Sequence, residues 1–165
     1  MGRDGGGGFT CSDVSVKVHQ TYDVALTVDL TLTVPLDIKP ATCPNQLNVN
    51  AKAVLLVAIL GTAHFDVADV DVTTVKLAGG VPAVGSNLED VATPFEPFTG
   101  KANALDCNQD AGDGLTDLTL KFDRQAVVAA LGPVNDGDVI VVKITGELLD
   151  DTPFEGEDVI VIEKK

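Results

Sequence analysis

The run Val24-Ala25-Leu26-Thr27-Val28-Asp29-Leu30-Thr31-Leu32-Thr33-Val34 decides how the fold is read. Val24, Leu26, Val28, Leu30, Leu32 and Val34 share one side of a two-residue period, with Ala25, Thr27, Asp29, Thr31 and Thr33 on the other. A strand with one buried face produces that pattern, and no helix does. Continued to Leu36, the segment is about 40 Å long at about 3.3 Å per residue, well beyond a typical strand of about 5 to 6 residues.

Outward from this run, further strands are expected at Val14–Val18, Ala53–Leu60, Thr74–Leu77, Leu118–Phe122, Asp138–Thr145 and Asp158–Ile162, separated by Gly, Pro, Asn and Asp. One helix stands out at Arg124–Leu131: Asp123 can cap its start, Gly132 suits the left-handed position past its end, and Pro133 forbids continuation. The expected fold is all-β, an antiparallel β-sandwich with one short helix as an edge lid and a long N-terminal strand extension.

The chain has 165 residues, room for one ordinary core. Hydrophobic residues make up 45 % and aromatic ones only 4 %, so the core must be built from Val, Leu, Ile and Ala, which favours strands over a disordered acidic chain. With 25 acidic against 11 basic residues the net charge is −14, a field that repels phosphate backbones and anionic headgroups and attracts divalent cations. Nucleic acid is therefore disfavoured as a partner. No apolar run approaches the roughly 20 residues of a membrane span, so membrane insertion is not expected, and Met1 to Gly8 carries no secretory-signal pattern, although a processed product would lack one as well.

Three cysteines, Cys11, Cys43 and Cys107, lack metal-ligand spacing. Two readings remain open: three buried thiols, or a Cys43–Cys107 disulfide between loop-like segments, with Cys11 free or paired to another molecule. From Glu89 to Asp117 there are seven acidic residues and a single basic one, Lys101. Asp106, Asn108 and Asp110 alternate ahead of Gly112, Asp113, Gly114 and Asp117, the short spacing of oxygens on pliable backbone that calcium requires. An EF-hand is excluded, because Ala111 replaces the sharp-turn glycine, Asp117 replaces the closing Glu, and a strand follows. A solvated acidic loop without an ion is the competing reading. The second acidic cluster, Glu147, Asp150, Asp151, Glu155, Glu157 and Asp158, reads as a charged turn between strands.

Several short motifs recur together: Asp37-Ile38-Lys39-Pro40, Cys43-Pro44-Asn45, Leu47-Asn48-Val49, Ala58-Ile59-Leu60-Gly61 and Phe65-Asp66-Val67, then Leu88-Glu89-Asp90-Val91, Asp113-Gly114-Leu115-Thr116-Asp117-Leu118, Thr145-Gly146 and Thr152-Pro153-Phe154-Glu155-Gly156. From Asp37 to about Ile162 the chain thereby resembles a calcium-binding β-sandwich module of secreted and cell-surface bacterial proteins. The resemblance implies that Asp90, Asp113 and Asp117 hold ligand positions, and it implies no catalytic activity. The module's two acidic motifs usually abut, whereas Ala92 to Gly112 separates them here. Asp106, Asn108 and Asp110 then join the same ion, form a second site, or bind nothing.

Enzyme readings are thin. There is no Gly-x-Ser-x-Gly elbow and no His-Glu-x-x-His helix, the serines are only Ser12, Ser15 and Ser86, and His64 reads as a turn residue. Trp is absent and Tyr22 is the sole tyrosine, against a carbohydrate platform or a glycosidase cleft. Residues 1–36 are expected to form an extension and residues 37–165 the calcium-binding sandwich. The stripe of the extension must be covered, either within its own sandwich or by strand addition to another copy. The second option makes an extracellular homopolymer, assembled head to tail and stiffened by calcium; the alternative is a monomeric accessory or adhesion domain of a larger surface protein. Exposed threonines such as Thr27, Thr31 and Thr33 are candidates for O-linked glycans.

Overall fold

A computed structural model describes residues 30–165. Two sheets face each other. The first contains β1 (Leu32–Thr33), β3 (Gln46–Asn48), β5 (Val70–Leu77), β6 (Val81–Pro82), β9 (Val139–Leu148) and β10 (Pro153–Glu163); the second contains β2 (Leu36–Ile38), β4 (Leu55–Ile59), β7 (Gly85–Glu89) and β8 (Asp117–Phe122). Their orders are β1-β10-β9-β5-β6, with β3 also on β10, and β2-β4-β8-β7. This is the expected all-β sandwich, antiparallel except where β1 and β3 run parallel to β10.

Alternation fills the core. Leu55, Val57 and Ile59 of β4 and Leu118, Leu120 and Phe122 of β8 face Val75 and Leu77, Val142 and Ile144, and Phe154, Ile160 and Ile162 across the gap. The helix α1 (Arg124–Leu131) has the expected ends: the Asp123 carboxylate accepts from Ala126 N, and Gly132 has φ 76°. Val127 alone on it is fully buried, while Arg124 and Gln125 donate to the carbonyls of Ala53, Val54, Val49 and Ala51. The helix closes one end of the sandwich.

The expected unbroken strand from Val24 to Leu36 is not what forms. Val24, Leu26 and Val28 lie outside the described residues. Leu30 is 70 % exposed, Leu32 packs against the core from β1, and Val34 is fully buried. The chain then crosses to the other sheet and continues as β2. Pro35 is the reason, since it has no N–H to extend a ladder and bends the strand at its fixed φ. The Pro35 carbonyl instead accepts from Leu60 N at 3.0 Å, and Val34 N donates to Glu155 O at 2.9 Å.

That crossing leaves a gap in the outer edge of β10. β1 pairs with Phe154 and Glu155, β3 pairs with Val161 to Glu163, and among the described residues no strand runs along the outer side of the stretch between them, opposite β9. An irregular strap, residues 92–112, lies over this flank.

Candidate functional site

The gap in β10 is filled by polar side chains that would normally avoid such a place. The inward register of β10 reads Phe154, Gly156, Asp158, Ile160, Ile162, so Asp158 occupies a core position and is 1 % exposed. Its Oδ2 accepts from Ile38 N at 2.7 Å and Asn45 Nδ2 at 3.0 Å, and its Oδ1 from Val159 N at 2.9 Å and Lys101 Nζ at 3.0 Å. Asn45, wholly buried, also donates to Val159 O at 2.9 Å, bridging the unpaired stretch of backbone.

Lys101 reaches this node from the strap. The amides of Gly100 and Lys101 donate to Glu157 Oε2 at 2.8 and 3.0 Å, which fixes the backbone while the side chain dives inward. Its Nζ touches Leu36 O at 3.3 Å and lies 5.5 Å from the centre of the Phe95 ring, a cation–π distance. Asp37, Lys101, Asn108 and Asp158 line one enclosed cavity of about 10 Å³. Burial pushes the Asp37 carboxyl up to about 7, and the Asp158 charge adds to that effect. Asp158 is raised by burial too, with Lys101 opposing the rise.

The strap is tied at both ends. Cys107 is joined to Cys43 by a disulfide, and Gln109 Nε2 donates to Cys43 O at 2.9 Å. Thr93 bonds to Asp110 O and Ala111 O, and Asn108 Nδ2 returns to Thr93 O. Cys11 lies outside the described residues.

The expected calcium ligands do something else with their oxygens. Asp117 is fully buried at the start of β8; its Oδ1 accepts from Gly61 N at 3.0 Å, and its Oδ2 from Val91 N at 2.8 Å and Ala92 N at 3.2 Å. Burial raises its pKa, against the pull of those three amides. Asp90 takes the amides of Asp113 and Gly114, with Gly112 packed so closely on its carboxylate that a Cβ there would collide. The Oδ2 of Asp106 accepts from Ala102 N and Asn103 N, which lowers its pKa, while Asn108 Oδ1 accepts from Asp110 N and Asp113 Oδ1 from Leu115 N. Asp90 and Asp113 are neighbours across a backbone bond, but the six residues do not converge. Among the described residues no three His, Cys, Asp or Glu side chains form a group that could hold a metal ion. In this arrangement Asp90, Asp106, Asp113 and Asp117 each turn at least one carboxylate oxygen to a loop amide.

Sequence reasoning missed Asp37, Asn45, Lys101 and Asp158. The available signals were Lys101 as the lone base in an acidic stretch and Asp158 in phase with Phe154, Ile160 and Ile162. Compared with known proteins, the chain matches no family model, no curated protein and no solved structure.

Proposed function

We propose that this chain is a non-catalytic β-sandwich module that works outside the reducing cytoplasm, as an accessory domain of a secreted or surface protein. The observation that carries this reading is the fate of the N-terminal stripe. Val34 is fully buried in its own sandwich, and Gly156 of β10 sits so close beneath it that a Cβ would strike the Val34 carbonyl. Val34, with Leu32 packed beside it, is thus used by the molecule that owns it, while Leu30 stays 70 % exposed. The Cys43–Cys107 bond supports an oxidising compartment, where such bonds persist.

Sedimentation of the full chain tests the reading: a single species at the 17.1 kDa monomer mass is expected. A ladder of species or fibres would favour the second reading, a head-to-tail homopolymer. One observation speaks for that second reading: among the described residues β7 is an edge strand with β8 on one side only, and its Leu88 is 53 % exposed. Such an edge can accept an added strand.

A further inference from the structure

We propose that Lys101 and Asp158 condense into an intramolecular amide that welds the strap to β10. The two reacting groups are already paired, with Nζ 3.0 Å from Oδ1 and the side chains 2 % and 1 % exposed. They are held from opposite sides. Glu157 anchors the Lys101 backbone, and Ile38, Asn45 and Val159 fix the Asp158 carboxylate. The Asp158 carboxylate cannot rotate away without breaking those bonds, and the Lys101 side chain is confined by its burial and by the Leu36 carbonyl, so the amine approaches one carboxyl carbon at a high effective concentration.

The chemistry balances without a co-reactant. The ammonium passes a proton to the carboxylate, leaving an amine and a carboxylic acid. The Nζ lone pair then attacks Cγ, a C–N bond forms, and the tetrahedral centre collapses with cleavage of one C–O bond. Two of the three ammonium hydrogens leave with that oxygen as water, and nothing is oxidised or reduced. Asp37 lines the same cavity and is the third ionisable group there, so it is assigned as the proton carrier to the departing oxygen. Its carboxyl, raised to about 7, holds a proton in mildly acidic solution and releases it near neutrality.

The environment favours the product. Two ions taken out of water lose solvation that their mutual attraction recovers only in part, and the amide removes both charges at once. Water, once it has left so buried a site, is not readily returned to reverse the step. In bulk solution the same two groups would remain an ion pair.

The intact mass of the full folded chain, measured after reduction of its disulfide, decides the matter. The expected mass is lower than the sequence mass by one water. Digestion with trypsin should then yield one branched peptide carrying Lys101, uncleaved, and Asp158. Lys101→Arg keeps the charge and removes the nucleophile, so it should restore the full mass. A folded wild-type chain at full sequence mass overturns the proposal, as does a water loss that persists in Lys101→Arg, which would mark cyclisation at an Asp-Gly step such as Asp113-Gly114 or Asp136-Gly137. Asp37→Asn is expected to slow the mass loss or abolish it. Undiminished condensation in that variant overturns the role given to Asp37.

Discussion

The carboxylate of Asp117 accepts the backbone N–H of Gly61 at 3.0 Å, joining the first residue of β8 to the end of β4 inside the protein. Its other oxygen gathers Val91 and Ala92, where the strap begins. One side chain thus ties together the ends of β4, β7 and β8 just beyond the ladders that join them. Bonds from amides to a buried carboxylate are stronger than neutral ones, and each donor left without a partner costs on the order of 1–3 kcal/mol.

Asp117→Ala is therefore expected to destabilise the fold by on the order of 3–5 kcal/mol, the range for breaking a buried network. Urea denaturation with added calcium and with a chelator should give the same loss in both. A loss seen only when calcium is present would restore Asp117 as a metal ligand.

The buried carboxyls also set a pH dependence. Asp37, raised from 3.8 to about 7 by burial and then by Asp158, binds its proton more tightly folded than unfolded. Between those values the folded state carries the extra proton, so its stabilising contribution is complete below about pH 4 and lost as pH climbs through about 7. Asp117, also raised, acts with the same sign, as does Asp158 wherever it is still a free carboxyl. Melting temperature should fall between pH 4 and pH 7.5. Compared in the Lys101→Arg background, which cannot form the amide, Asp37→Asn should flatten that fall, matching its Lys101→Arg parent at pH 4 and exceeding it at pH 7.5; equal slopes in the two proteins would rule out Asp37 as the titrating group.

How much of this was legible in the sequence differs by layer. Alternation in Leu55–Ile59 and Leu118–Phe122, and the Asp123, Gly132 and Pro133 punctuation of α1, rest on local periods and caps, which need no knowledge of neighbours. The break at Pro35 was visible as a residue, but the two-residue period runs across it and masks the change of sheet. Of the strap, only the Cys43–Cys107 tie was readable, as one of two open readings of the cysteines. Its ties are to Glu157, Asp158 and Cys43, each more than 50 residues away in the chain, and an acidic loop looks the same whether its oxygens face an ion or backbone amides. Asp158 was misread for a related reason: grouped by charge with Asp150 and Asp151 it belongs to a turn, whereas its register belongs to the core.

The disulfide should matter in proportion to the chain it closes. Cys43 and Cys107 are 64 residues apart, and constraining a loop of that size is worth about 4 kcal/mol through the unfolded state. Cys43→Ser with Cys107→Ser should lower the urea midpoint accordingly, and thiol reductant should then have no further effect on the variant. If the oxidised and reduced wild type unfold at one midpoint, the bond does not brace the strap.

The last expectation concerns where the folding unit starts. Val34, Leu36 and Ile38 are each no more than 2 % exposed, and Leu32 packs on the core beside them. Burying side chains of this size is worth about 1.5–3 kcal/mol apiece, so removing residues 1–36 strips at least two such contributions and leaves the upper edge of β10 unpaired. Removing residues 1–29 takes none of them. The longer truncation should therefore be less stable than the shorter one by on the order of 3–6 kcal/mol or fail to fold. A stable, soluble chain beginning at Asp37 would mean that β1 and β2 contribute little at home, and that their natural acceptor is another copy.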